Sequence, residues 1–126
     1  MSNDSRVLQE GDLVLIETVD RKRWIIKLQP GLKTHTHLGS FNHDSLIGKY
    51  KHGSTIKFPR GKLMVLRPVL RDFVEKYVKP TNILYEDDAS ALVGLAGLKH
   101  GDSVLEIGTG SGGLTTYIAN AVGPAG

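Results

Sequence analysis

Between Gly11 and Leu66, apolar and polar residues alternate in short bursts separated by turn formers. "DLVLIET" and "RWIIKL" flank Val19-Asp20-Arg21-Lys22, and "STIKF" and "KLMVL" flank Pro59-Arg60-Gly61, so each pair reads as a β-hairpin. Between the pairs, "PGLKTHTHLGSFNHDSLIG" carries Gly31, Gly39 and Gly48 and is expected to add one further short strand. The pattern predicts a small antiparallel β barrel or sandwich domain over residues 1–66.

The period changes at Arg67-Pro68. In "PVLRDFVEKYV", Val69, Phe73 and Tyr77 recur at helical spacing, as do Leu70 and Val74, and Pro68 suits a first turn. A linking helix is therefore predicted within residues 67–80. After Lys79-Pro80, "TNILY" reads as extended. Asp87 or Asp88 is expected to cap a helix "ASALVGLAGL", whose Ala89, Leu92, Val93 and Ala96 share a face and which Gly97 or Gly101 ends. "DSVLEI" then lacks polar alternation until Glu106, the pattern of a strand buried on both faces of a parallel sheet. "GLTTYIANAV" follows as a helix that Gly123-Pro124 stops. Helix, buried strand, glycine loop and helix are the opening of a doubly wound α/β domain, placed at residues 81–126.

Composition narrows the classes of function. A chain of 126 residues with 40% apolar content is that of a soluble globular protein, and the absence of cysteine excludes disulfides and Cys-based zinc sites. His35 and His37 share one face of an extended stretch, with His43 and His52 further along, but no carboxylate accompanies them at fixed spacing. Packing or RNA contacts are expected of them rather than a metal site. "MSNDSRVLQE" lacks the apolar run of a signal peptide, and no stretch approaches the roughly 20 apolar residues of a membrane span. A cytoplasmic protein without membrane contact is the expectation.

The net charge of +3 hides an uneven distribution. Residues 1–80 hold 15 Lys and Arg against 8 Asp and Glu, a balance of +7, whereas residues 81–126 hold one Lys against 5 acids, a balance of −4. A basic front segment is suited to a polyanion, because phosphate contacts dominate nucleic-acid affinity; a solvated basic face is the alternative. Arg21-Lys22-Arg23 and Arg60-Gly61-Lys62 lie at the two hairpin turns, where their side chains are candidates for RNA phosphates. Trp24 is a candidate for base stacking or for the core.

The candidate chemistry lies in Gly108-Thr109-Gly110-Ser111-Gly112-Gly113. A triphosphate-binding loop needs Lys and then Ser or Thr after its last glycine, and Leu114-Thr115 stands there instead. Gly108, Gly110 and Gly113 match the dinucleotide spacing G-x-G-x-x-G, so a nicotinamide cofactor stays open. Glu106 favours S-adenosylmethionine (AdoMet): at the carboxyl end of a strand it suits the cationic amino group of a methionine, whereas a pyrophosphate would be repelled.

"NILYEDDASALVGLAGLKHGDSVLEIGTGSGGLTTYIANAVGPAG" resembles the start of the catalytic domain of the tRNA (adenine-N1) methyltransferase family, which modifies a T-loop adenosine, position 58 in type. "THTHLGSFNHDSLIGKYKHGSTIKF" and "LRPVLRDFV" resemble that family's N-terminal β domain and its link to a Rossmann-like class I methyltransferase domain. The resemblance implies AdoMet as cofactor, tRNA as substrate and a homo-oligomer, a tetramer. It implies cofactor contacts from Tyr85, Glu106, Gly108, Gly110, Ser111, Gly112, Gly113 and Leu114. Tyr85 lines the cofactor or target-base pocket in this reading, and is otherwise a core residue. Asn82 stands where the family commonly has Gln, and Glu86-Asp87 replace its Pro-Lys.

The family's catalytic Asp falls on a later strand and the ribose-binding acid on the second strand, so no catalytic residue is expected within this chain. The 126 residues are read as a truncated front part that neither methylates nor binds AdoMet tightly alone. Other copies are expected to cover its apolar faces and sheet edges. The alternatives are a non-catalytic RNA-binding or subunit-assembly module and, third, an NAD-dependent Rossmann enzyme.

Overall fold

Leu13–Thr18 forms β1, which pairs antiparallel with β2 (Arg23–Lys27) on one side and β6 (Gly61–Leu66) on the other. β6 pairs in turn with β5 (Ser54–Phe58), giving a four-stranded sheet of order β2-β1-β6-β5. Alternation decides the faces: Val14 and Ile16 of β1 and Leu63 and Val65 of β6 are fully buried on one side. On the other side Glu17 stands opposite Arg23 and Met64. The computed structural model describes residues 6–77 and 84–126, and the chain divides into two units, Met1–Val69 and Leu70–Gly126.

The stretch expected to hold one strand holds two. β3 (Lys33–Thr36) and β4 (Gly39–Asn42) form a separate antiparallel ribbon closed by His37-Leu38. "KTHT" and "GSFN" are too short and too polar to display a period, which is why the pattern hid the second strand. The ribbon shares the sheet's core. Phe41 packs edge-on to Phe58 at 6.2 Å, and Leu38 lies against Gly61, where an added Cβ would come within 3.1 Å of its methyl carbon. Leu8, Leu28 and Leu46 complete this core. Each fully buried aliphatic stabilises the unit by about 1.5–3 kcal/mol through removal from water.

His43 is buried among them. Its Nδ1 accepts the backbone N–H of Gln29 at 3.0 Å, so in the neutral ring Nε2 carries the proton and donates to Thr34 Oγ1 at 2.8 Å. It is therefore a packing residue, one of the two roles expected of the histidines. Among the described residues no group of three or more His, Cys, Asp or Glu is placed to hold a metal ion.

The second unit contains α1 (Leu70–Tyr77), α2 (Glu86–Leu95) and α3 (Gly113–Val122). Val74, Ala89 and Tyr117 form its buried centre, one from each helix, with Leu70, Leu84, Val93 and Leu114 around them. α2 begins three residues before the expected helix. Its N-cap is Tyr85, with no side-chain capping bond, and Glu86, Asp87 and Asp88 all lie in the first turn. Three carboxylates at a helix N-terminus are stabilised by the helix dipole, which draws the acids into the helix instead of leaving one as its cap. Gly97, at φ +63°, ends the helix, as expected. Ala89 and Val93 turn inward, but Leu92 and Ala96 of the anticipated face are exposed.

"DSVLEI" is not a buried strand. No strand is assigned there, and Leu105 and Ile107 are 87% and 90% exposed. A parallel partner needs a crossover connection of a dozen or more residues, and no described residue supplies one. The apolar side chains that burial on both faces would cover therefore stand in solvent. The stretch from Pro80 to Ile83, with Asn82, lies outside the described residues. No described helix is long and apolar enough to cross a membrane.

Candidate cofactor site

The glycine loop connects the 102–107 segment to α3 through three left-handed residues, Gly108 at φ +80°, Gly110 at +56° and Gly112 at +84°. Sterics do not explain these glycines, because a Cβ at Gly108 or Gly112 would meet nothing within 4 Å. The requirement is conformational: a left-handed L-residue costs about 1–2 kcal/mol. Gly112 serves as the N-cap of α3, and its N–H closes back on the Thr109 carbonyl at 3.0 Å. Gly113 is buried in the first turn. The N–H groups that open a helix have no partner within it and attract anions.

Glu106 faces this turn. It accepts a hydrogen bond from the Thr115 hydroxyl at 2.5 Å, so the carboxylate is held against the first turn of α3. Thr115 was not anticipated. The signal was present as a hydroxyl in the first turn after a glycine cap, but its partner lies nine residues back and leaves no periodic trace.

A cavity of about 210 Å³ opens beside the loop, lined by Glu106, Gly108, Ser111, Gly113 and Leu114, with Leu84, Leu92, Ile107 and Thr109 completing the wall. Five of the anticipated cofactor residues are thus brought together, while Gly110 and Gly112 shape the loop without lining it. Whole-ligand pockets run from about 300 Å³ upward, so this one has room for only part of a molecule the size of AdoMet. The chemistry fits the methionine end: an acid for the ammonium and a helix N-terminus for the carboxylate.

Tyr85 is 75% exposed and lines a different cavity, of about 340 Å³, with Arg71, Glu75, Glu86, Asp87 and Tyr117. This places it away from the glycine-loop cavity, although Leu84 belongs to both. Glu86, one of the acids standing in for Pro-Lys, pairs with Arg71 at 3.3 Å, and the Glu86 carboxylate pushes the Arg71 guanidinium further above its usual range. The two side chains are 40% and 42% exposed, so the pair contributes at most about 1 kcal/mol. Burial, and then the Glu86 charge, raise the Tyr117 phenol above its usual range.

The basic candidates Arg21, Lys22, Arg23, Arg60 and Lys62 are all exposed in the first unit. Lys22 lies 3.5 Å from Asp20, and Arg23 pairs with Glu17 at 3.0 Å. Trp24 is half-buried and packs against the core, with its ring centroid 6.0 Å from that of His37.

A family profile described as TrmI-like N-terminal matches residues 7–56, and one described as tRNA methyltransferase complex GCD14 subunit matches residues 64–126. The chain is 36% identical over 126 residues to the tRNA (adenine(58)-N(1))-methyltransferase catalytic subunit TRM61 of Cryptococcus neoformans, across 97% of this chain and 29% of that protein. A solved SAM-dependent O-methyltransferase from Thermotoga maritima matches with a TM-score of 0.81 and 31% identity, over 99% of this chain and 47% of its own. The tRNA (m1A58) methyltransferase TrmI from Aquifex aeolicus matches with a TM-score of 0.71 and 29% identity, over 92% and 45%. The chain thus spans less than half the length of each of these relatives. The matched span takes in the glycine loop, Glu106 and α1 to α3, and the chain belongs to the family of the tRNA methyltransferase complex GCD14 subunit.

Proposed function

We propose that this chain is the N-terminal part of an AdoMet-dependent tRNA methyltransferase that acts on N1 of a T-loop adenosine, position 58 in type. The observation that carries the proposal is the Glu106 carboxylate held beside the glycine loop at the mouth of a cavity that opens on the first turn of α3. Glu106 takes the methionine ammonium of AdoMet, and the N–H groups of Gly113 and Leu114 suit its carboxylate. Gly108, Gly110 and Gly112 supply the tight turn and Ser111 a hydroxyl, while Tyr85 lines the neighbouring cavity and joins the site only through the adjacent Leu84. When bound, the cofactor supplies a methyl group on a sulfonium whose leaving group is a neutral thioether. The protein's share is then to position adenine N1 and exclude water.

A polypeptide of the relatives' length adds the ribose-binding and catalytic acids in this reading, and the isolated 126 residues are inactive. A small sandwich of the two β sheets, an oligomer of like copies and a cytoplasmic setting complete it. The test is methyl transfer from AdoMet to an unmodified tRNA transcript by a polypeptide of that length, with the product nucleoside identified. Methylated adenosine at position 58 is expected, and transfer to another atom would overturn the proposal.

Two observations favour a second reading, an assembly or RNA-binding module without catalysis: the cavity is smaller than a whole-cofactor pocket, and Leu105 and Ile107 of the 102–107 segment stand exposed. Calorimetry separates the two. AdoMet binding that appears only at the relatives' length supports the transferase, and none at either length supports the module.

A further inference from the structure

Three turns of the first unit meet at one end of the four-stranded sheet. Thr18, the last residue of β1, lies opposite Leu63, so the 19–22 loop and the Pro59-Arg60 turn project from the same edge. The ribbon tip joins them, because His37 reaches Asp20 at 3.2 Å and Leu38 rests on Gly61. The β register thereby gathers residues that the sequence keeps far apart.

Among the described residues, six cations collect at this end, Arg21, Lys22, Arg23, Lys57, Arg60 and Lys62, against the carboxylates of Glu17 and Asp20. Glu17 is engaged by Arg23, and Asp20 by Lys22 and His37. Lys57 and Lys62 stand directly opposite each other across the β5–β6 ladder, both exposed on the outer face. Among the described residues neither has an acidic partner, and the same is true of Arg21 and Arg60. Like charges facing each other across a ladder destabilise the sheet, so the arrangement opposes folding unless an anion lies between them.

We propose that this end of the β unit binds the phosphates of RNA, with the Lys57–Lys62 pair at its centre and Arg21 and Arg60 on its flanks. The choice of RNA among polyanions rests on the tRNA methyltransferase reading. From β2 to β5 the surface spans three strand spacings, about 14 Å, wide enough for more than one phosphate. Val19 is the one exposed aliphatic on the β1–β2 loop, too little to anchor a lipid surface. Asp20 restrains the field, because it engages Lys22 at the β1–β2 side of the surface.

Fluorescence anisotropy with an unmodified tRNA transcript, read from about 0.05 to 0.3 M salt, tests the surface. Each phosphate contact contributes about 0.7–0.9 to the salt slope, so Lys57→Ala with Lys62→Ala should flatten it by about 1.5 and weaken binding roughly tenfold or more at 0.1 M. The double variant should melt no lower than the parent, which separates lost binding from lost folding. Asp20→Asn should bind more tightly, because it raises the positive charge and keeps an acceptor for Thr18. An unchanged slope in the double variant would overturn the proposal. So would phosphatidylserine vesicles that bind more tightly than tRNA with the same lysine dependence. Methyl transfer is read separately: a wrong methylated product counts against the functional reading and leaves the salt slope to judge the surface.

Discussion

His37 Nε2 lies 3.2 Å from Asp20 Oδ2 and ties the tip of the β3–β4 ribbon to the loop between β1 and β2. The Thr18 hydroxyl also donates to Asp20. This hydrogen bond first, and then the charges of His37 and Lys22, hold the Asp20 carboxyl below its usual range. A carboxylate with a depressed folded pKa adds stability above its unfolded value, about 3.9, and loses it as the pH falls through the lower folded value. Asp20→Asn should therefore lower the melting temperature at pH 6, and the gap from the parent should narrow as the pH falls below the ordinary carboxylate range. Thermal melts across that range check it; a gap independent of pH would show that the charge contributes nothing.

Glu106→Gln keeps an acceptor for the Thr115 hydroxyl and removes the negative charge. Circular dichroism should be unchanged. AdoMet affinity in a polypeptide of the relatives' length should fall about 10- to 100-fold, the range of one charge-assisted hydrogen bond. Calorimetry that finds equal affinity would remove Glu106 from the site.

Gly112→Ala places a Cβ at φ +84° in the N-cap of α3. Space is free around it, so the penalty is conformational alone, about 1–2 kcal/mol. Urea unfolding should report a loss of that size, and a smaller one would mean that the loop relaxes to negative φ.

Lys57→Thr removes a like-charge pair from the β5–β6 ladder and introduces a β-branched residue suited to a strand. Stability should rise by about 0.5 kcal/mol, and more at low ionic strength than at high. A decrease in urea midpoint would show that the lysine stem packs usefully against the sheet.

Much of this architecture could be read before folding was considered. The hairpins around residues 19–22 and 59–60 follow from alternation, because one face of each strand is buried and the other wet. Ile16 and Leu63 announce themselves for that reason, whereas Thr34 and Ser40 do not, being polar residues in strands of four. The glycine loop was legible because left-handed backbone restricts the choice of residue. Its partner Thr115 was not, since a side-chain hydrogen bond to Glu106 depends on how the chain turns back on itself. Leu105 and Ile107 expose a further limit: apolar character indicates which residues a parallel sheet would bury, but a sheet needs neighbours to bury them.

Among the described residues, no backbone N–H from Ser103 to Ile107 reaches a carbonyl. In this chain those amides should exchange with heavy water nearly as fast as in an unfolded peptide, while the ladder of β1 and β6 should protect its own. A neighbouring strand would slow that exchange by orders of magnitude. The mass gained by one short peptide would then report whether a neighbouring strand has paired with this segment, with no ligand or turnover required.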